Sequence, residues 1–247
     1  MRICNPLPGH IPMLRRLWKE VFGDEDPFLD LFFSTAYAPN RCLCAFEEDS
    51  LGGMLYWLPC GSFAYIYAVA THPDFRGRGV CRSLMEAAHG AICRQGFRGV
   101  LLYPQEERLR SMYRKMGYCH ETRIRLLRYD AGRGSASPVP IGAKEYFDLR
   151  TQLLPPDAVA QGSPFPEMLE SWSFFRGEGF LLAAIIRDRQ LLAGEYLGPE
   201  ALAPELLAAL GCESGIFRCP GADQPFAMFC PLDENMPAPG YFAFPLD

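Results

Sequence analysis

The sequence predicts an α/β protein with mixed sheets, laid out in two successive halves, and three observations lead there. Phe63 to Gln95 reads as a strand, a glycine-rich turn and a helix. Arg41 to Phe46 and Leu51 to Leu58 are apolar runs separated by Glu47-Glu48-Asp49-Ser50, an antiparallel hairpin that excludes an all-parallel sheet. Ala131 to Pro140, AGRGSASPVP, is rich in Gly, Ser and Pro and has the composition of a linker. The expected division is therefore 1–130, a linker at 131–140, and 141–247.

From the start, Ile11, Leu14, Leu17, Trp18 and Val21 recur at helical spacing and the run stops at Gly23. A second short helix is expected at about Asp26 to Tyr37. In the hairpin, Leu51-Gly52-Gly53 carries the mark of a bulge. Phe63 to Thr71 then alternates strictly, with Phe63, Tyr65, Tyr67, Val69 and Thr71 on one face and Ala64, Ile66, Ala68 and Ala70 on the other. Pro73 cannot donate to a sheet ladder, so this strand should end near His72 and leave free main-chain groups for something extended to pair with.

Arg76-Gly77-Arg78-Gly79-Val80 follows, opening a helix with Val80, Leu84, Ala87, Ala88, Ala91 and Ile92 on its apolar side and Gly96 as its stop. The glycines let an anion approach the backbone, the first amides of the helix point at it, and Arg76, Arg78 and Arg82 add charge. Phe97 to Tyr103 is a buried strand. In Gln105 to Tyr118, Leu109, Met112, Tyr113 and Met116 share a helix face that Gly117 closes. Cys119 to Tyr129 is a strand expected to complete the first half.

Past the linker, helices are expected near Ile141 to Leu153 and Glu167 to Phe175. A hairpin follows, Gly179 to Ile186 and Gln190 to Leu197 around Arg187-Asp188-Arg189. A short helix at Glu200 to Leu210 and strands near Gly215 to Arg218, Pro225 to Cys230 and Gly240 to Pro245 end the chain. The helix, helix, hairpin order repeats that of the first half, and CLCAFEEDSLGGM echoes LLAAIIRDRQLLAGE, which points to an internal duplication.

At 247 residues, 49% hydrophobic and 21% charged, the chain can bury a core and is not composed like a disordered protein. No apolar run reaches the length of a membrane span, and MRICNPLPGH has no hydrophobic signal core, so a cytoplasmic protein is expected, with its ten cysteines reduced. No C-x-x-C occurs and no metal is expected. Residues 1–130 carry a net +3 and residues 131–247 a net −8. The first half suits a polyanionic ligand, the acidic second half could attract a cationic one, and nucleic acid is a poor partner for a chain of net −5.

The turn does not fit a dinucleotide fingerprint, because Arg82 stands at the third glycine, and no G-K-[ST] follows for a P-loop. It resembles the R/Q-x-x-G-x-G/A motif of the GNAT superfamily of N-acetyltransferases, with Arg76, Gly79 and, departing from the pattern in the last place, Cys81. The form from Val69 to Gly79, VATHPDFRGRG, is especially similar to the enhanced-intracellular-survival branch, whose members carry a second, degenerate acetyltransferase-like domain. The second half here holds no R-x-x-G-x-G, in keeping with such a domain.

The resemblance implies direct transfer of acetyl from acetyl-coenzyme A to an amine. The main chain of Val69, Ala70 and Thr71 would pair with the pantetheine arm, and the amides of Gly77, Arg78, Gly79, Val80, Cys81 and Arg82 would hold the pyrophosphate. Tyr113 in Tyr113-Arg114-Lys115-Met116-Gly117-Tyr118 fits the superfamily's Y-x-x-x-G-[FY], whose tyrosine protonates the departing thiolate. Taken alone, Tyr113 reads first as an amphipathic core residue with its hydroxyl at the surface, and only the upstream motif reverses that preference. For the base, His72, Glu106, Glu107 and the terminal residue Asp247 are the candidates. The acceptor is a small molecule or peptide, and edge strands in both halves allow a homodimer. The competing reading is a catalytically silent protein that binds or senses acyl-coenzyme A and has no use for Tyr113; a purely structural module would need neither motif.

Overall fold

Chain order begins with β1 (Arg2–Cys4), α1 (Ile11–Phe22), α2 (Asp26–Thr35), β2 (Cys42–Glu47), β3 (Ser50–Cys60), β4 (Phe63–Thr71), α3 (Val80–Arg94), β5 (Gly99–Leu102) and α4 (Glu107–Arg114). It continues with β6 (His120–Asp130), β7 (Val139–Ile141), α5 (Ala143–Arg150), α6 (Phe165–Met168), β8 (Ser173–Gly177), β9 (Phe180–Arg187), β10 (Gln190–Leu197), α7 (Ala203–Ala209), β11 (Ser214–Pro220) and β12 (Gln224–Pro231). This computed structural model describes residues 1–246, and its contacts fall into two units. Unit 1 is Met1–His120 with Met228–Pro237; unit 2 is Glu121–Ala227 with the residues from Ala238 on.

The sheet of unit 1 runs β1-β2-β3-β4-β5-β12. Every neighbouring pair is antiparallel except β4 and β5, which the α3 crossover makes parallel. The pattern of α1 puts Leu14, Leu17 and Trp18 inward, and Gly23 closes it in the left-handed region with its N–H on the Lys19 carbonyl. Trp18 meets Phe32 of α2 at 4.7 Å between ring centroids, Tyr56 of β3 at 5.3 Å and Tyr67 of β4 at 5.7 Å. On the opposite face α3 lays Leu84, Met85, Ala88 and Ile92 against Leu55, Trp57, Ala64 and Ile66. Each such side chain contributes about 1.5–3 kcal/mol by leaving water.

The sheet of unit 2 runs β6-β11-β10-β9-β8-β7, again antiparallel save one pair, β10 and β11, joined across α7. Leu206 and Leu207 of α7 pack on Leu182, Ala184, Leu191, Ala193 and Phe217. Beside β10, Arg150 and Glu195 are buried together, at 2.5 Å and 2.9 Å, and the Tyr146 hydroxyl donates to the same carboxylate at 2.7 Å. Burial works against the charge of Arg150, but the adjoining carboxylate raises its pKa, so the guanidinium stays charged.

Three expectations change. The division lies at His120/Glu121, ahead of the Gly/Ser/Pro stretch, because β6 pairs with β11 from Ile124 to Asp130 instead of closing the first half. The strand that does flank β5 is β12, from the chain's far end. Where the periodicity predicts a helix to Phe175, α6 is only four residues long and Ser173–Gly177 is strand β8 against β9. Gly240 to Pro245 forms no strand; it is an extended run with a single β-bridge, Ala158 to Tyr241, held besides by hydrogen bonds such as Arg123 N–H on the Gly240 carbonyl at 2.9 Å and Gln161 Nε2 on the Phe244 carbonyl at 2.8 Å.

Candidate functional site

The site is built in unit 1 where two neighbouring strands part. β4 pairs with β3 along nearly its whole length, from Phe63 opposite Cys60 to Thr71 opposite Gly53. With β5 it pairs only from Phe63 to Tyr65, so from Ile66 onward one edge of β4 faces no strand. An extended ligand can complete such an edge with main-chain hydrogen bonds.

The alternation of β4 is interrupted inside that open stretch. Met54 stands opposite Ala70 and Tyr56 opposite Tyr67, so Ala68 and Val69 together oppose Leu55 alone, a bulge whose first residue has φ +49°. The bulge moves Val69 to the α3 side, where it packs on the core with Ala64 and Ile66, and not to the tyrosine face that strict alternation predicts. It also removes one main-chain unit from the β3 ladder in the open stretch. The second bulge, at Gly52, is where the sequence places one.

Beyond β4, a short 3-10 turn at Pro73–Phe75 leads into Arg76-Gly77-Arg78-Gly79, all exposed. Gly77 and Gly79 are left-handed, at φ +75° and +79°, and a Cβ on either would meet nothing within 4 Å, so the backbone lies open to an approaching group. The first bond of α3 runs from Ser83 N–H to the Gly79 carbonyl at 3.0 Å, which leaves the amides of Val80, Cys81 and Arg82 without intrahelical acceptors. Those amides and the helix dipole favour an anion. Arg76 folds back, its Nε donating to the Thr71 carbonyl at 3.3 Å. Arg78 lies over Phe75 and pairs with Glu47 at 3.2 Å, both more than half exposed, so the pair holds it weakly. Arg82 is exposed.

Val80 and Cys81 do different work. Val80 is buried against β3, and a Cβ on Gly53 would stand 2.8 Å from its Cγ1 and 2.9 Å from the Ala70 carbonyl; Gly53 is what lets α3 start so close to the sheet. Sequence reasoning marked Gly53 only as part of a bulge, though paired glycines inside a strand also signal close approach of backbone. Cys81 is half buried, which pushes its thiol pKa up.

Tyr113 ends α4, is 7% exposed, and packs edge-on to Tyr118 at 5.8 Å. Burial first, and then the neighbouring Cys81 thiol, raise its pKa well above that of free tyrosine, so the hydroxyl stays protonated at all ordinary pH. Tyr113 and Cys81 both pack on the core cluster that includes Val80, the first residue of α3. Val69, Val80, Cys81 and Tyr113 thus pack on one core cluster of unit 1, with Ala70 and Thr71 following Val69 on β4. Among the described residues, no group of three or more His, Cys, Asp or Glu is arranged to hold a metal ion.

The base candidates fare differently. His72 caps the 3-10 turn, its Nδ1 accepting from Asp74 N–H at 3.3 Å, while Nε2 lies 3.6 Å from the Glu20 carboxylate. Glu106 pairs with Arg108 and Glu107 with Arg110 at the start of α4. Asp247 lies outside the described residues.

Residues 8–120 match the family model of the acetyltransferase (GNAT) domain. Among solved structures, a GCN5-related N-acetyltransferase from Kribbella flavida superposes with a TM-score of 0.73 at 17% identity, over 94% of this chain and 72% of that one. A probable N-acyltransferase from Enterococcus faecalis gives 0.71 at 14%, and Eis1 of Mycobacterium abscessus 0.69 at 12%, each over 94% of this chain and 73% of its own. The chain has the GNAT acetyltransferase fold. No curated protein matches it in sequence. The matched segment contains the open edge of β4, the glycine turn and Tyr113, while β12, which completes the sheet of unit 1, lies outside it. A GNAT fold binds acetyl-coenzyme A in general, and in this chain the backbone at Gly77 and Gly79 is open to an approaching group.

Proposed function

We propose that the chain is an N-acetyltransferase that moves acetyl from acetyl-coenzyme A directly to an amine of a small molecule or peptide. In this reading unit 1 is the catalytic domain and unit 2 a degenerate copy of it. The observation that carries the proposal is the unpaired edge of β4 running straight into an exposed left-handed glycine turn and the bare amides of α3, because together they offer a main-chain ladder and an anion cradle end to end. The duplicated reading rests on element order: β2, β3, β4, α3 and β5 in unit 1 correspond to β8, β9, β10, α7 and β11 in unit 2, with the same pairings.

Acetyl-coenzyme A supplies an acyl group already activated as a thioester. The main chain of Val69, Ala70 and Thr71 orients its pantetheine arm, the amides from Gly77 to Arg82 hold the diphosphate, and Arg76, Arg78 and Arg82 balance its charge. The amide freed by the bulge at Ala68–Val69 is positioned to polarise the carbonyl. As the acceptor nitrogen bonds to the carbonyl carbon and the carbon–sulfur bond breaks, the Tyr113 hydroxyl gives its proton to the departing sulfur, while the proton shed by the nitrogen passes to solvent water and the tyrosine is reprotonated from solvent. Its burial suits the task, since an acid must be protonated when the sulfur leaves. His72, whose Nδ1 accepts the Asp74 amide, is not assigned as the base in this reading.

The test is calorimetry with acetyl-coenzyme A, followed by thiol-release kinetics against a panel of polyamines, aminoglycosides, amino acids and lysine peptides. Binding with amine-dependent thiol release is expected. Binding without release by any amine would favour the silent acyl-coenzyme A binder, and no binding would remove both readings.

A further inference from the structure

Unit 2 leaves half of one sheet face open. Arg128 of β6, Ile216 of β11, Leu192 of β10 and Ile185 of β9 stand in register across four strands, and Asp130, Ser214, Gln190 and Arg187 form the next row on the same face. The opposite face is covered by α7. Leu192 is 51% exposed at the centre of the open rows, on the floor of a trough of about 830 Å³. The open face ends one row further on, where Trp172 covers Gly194 and Arg218 reaches the Ala243 carbonyl at 3.1 Å.

Two of the three corner charges, Asp130 and Arg187, carry the argument; the third, Arg128, lies across the row from Ile185 and falls on it under the rotation below. Asp130 and Arg187 sit at opposite ends of one row, three strand spacings or about 15 Å apart, too far to meet within one copy. Neither forms an ion pair among the described residues. A two-fold axis lying in the face, parallel to the strands and between β10 and β11, brings β6 over the partner's β9 and β11 over the partner's β10. Each residue keeps its row under that rotation. Asp130 then meets Arg187 of the second copy and Arg187 meets its Asp130, while Ile216 and Leu192 fall on one another at the centre. The same rotation maps a twisted sheet onto a surface of the same twist, so the two faces nest as aligned sheets do.

We propose that this face binds a second copy of the chain in an isologous, two-fold dimer. The open rows measure roughly 20 by 14 Å, well under the ~800 Å² per partner of a standard interface, so the dimer is weak and concentration-dependent. The inference is independent of the acetyltransferase reading.

Sedimentation equilibrium of the full chain from about 10 µM to 1 mM tests it. The wild type should self-associate. Leu192→Asp should leave monomer throughout, and Asp130→Arg or Arg187→Asp alone should each raise the dissociation constant about tenfold by setting like charges opposite one another twice. The double variant D130R/R187D should return to within about threefold of the wild type, since the swapped charges again face their opposites. All three positions are exposed, and circular dichroism checks that the variants fold. A wild type that stays monomeric to 1 mM, a Leu192→Asp variant that still dimerises, or a double variant weaker than either single one would each overturn the proposal.

Discussion

Unit 1 and unit 2 follow the same path through a three-strand meander and part company only after its last strand. Both β4 and β10 carry a bulge, at Ala68–Val69 and at Gly194, and both leave their parallel partner early, β4 after three paired residues and β10 after four. After β4 come two left-handed glycines and a 15-residue helix whose first turn holds no acid. After β10 come Gly198-Pro199, a 3-10 turn begun by Glu200, and a seven-residue helix with Glu205 in its first turn, its carboxylate already accepting the Ser135 amide. The bulged strand itself carries Glu195, buried against Arg150. Topology therefore brings the bulge and the diverging strands, whereas the exposed glycine turn and acid-free helix start come from the few residues that follow.

The sharpest test of that contrast is in unit 2, where the polar groups should be structural. Arg150→Met leaves the Glu195 carboxylate buried and alone, and should lower stability by about 3–5 kcal/mol in urea unfolding. The paired change Arg150→Met with Glu195→Leu should lose much less, because no charge is then stranded. Equal losses would mean that the pair does more than neutralise itself.

In unit 1 the corresponding change strikes function. Gly79→Glu puts a carboxylate at the N-terminus of α3, in a left-handed position that costs a non-glycine residue about 1–2 kcal/mol. The affinity for acetyl-coenzyme A should fall at least about 100-fold by calorimetry. Glu205→Gly in unit 2, which removes the acid without supplying the turn, should create no second binding event. Retained affinity in Gly79→Glu would move the anion site elsewhere. Tyr113→Phe should separate binding from chemistry, lowering turnover about 10²-fold while cofactor affinity stays within about threefold. Matching losses in both would make Tyr113 a packing residue.

Much of this contrast can be read in the chain before folding, and what cannot be read has identifiable causes. The strand, turn and helix from Phe63 to Arg94 are local and carry their own punctuation in Pro73, Gly77 and Gly79, so pattern and structure agree there. The bulge at Ala68 leaves no trace in the pattern, since Val69 is apolar and acceptable on either face. The pairing of β6 with β11 and of β12 with β5 joins residues about 90 to 130 positions apart, which no window of periodicity reaches. Strand β8 is hidden for another reason. Its Phe174 and Phe175 sit directly after Phe165, Met168 and Leu169, and the run mimics one face of a helix that in fact ends after a single turn.

The smallest effect separates the two crossover helices by pH. His89 on α3 is half buried, with Nε2 2.8 Å from the Tyr118 hydroxyl and Glu86 as the nearby charge, whereas α7, Ala203–Ala209, carries no histidine. Burial lowers the His89 pKa below that of a free imidazole, and the attraction of Glu86 offsets this only in part. As pH falls below about 6.5 the unfolded chain therefore takes up a proton that the folded one refuses, and stability declines until the folded histidine also titrates. His89→Gln keeps a hydrogen-bonding partner for Tyr118 and removes the titration. Unfolding free energies measured in urea at pH 7.5 and pH 5.5 should differ less in His89→Gln than in the wild type, with the two proteins closest at the higher pH. An unchanged difference would show that the acid sensitivity arises outside α3.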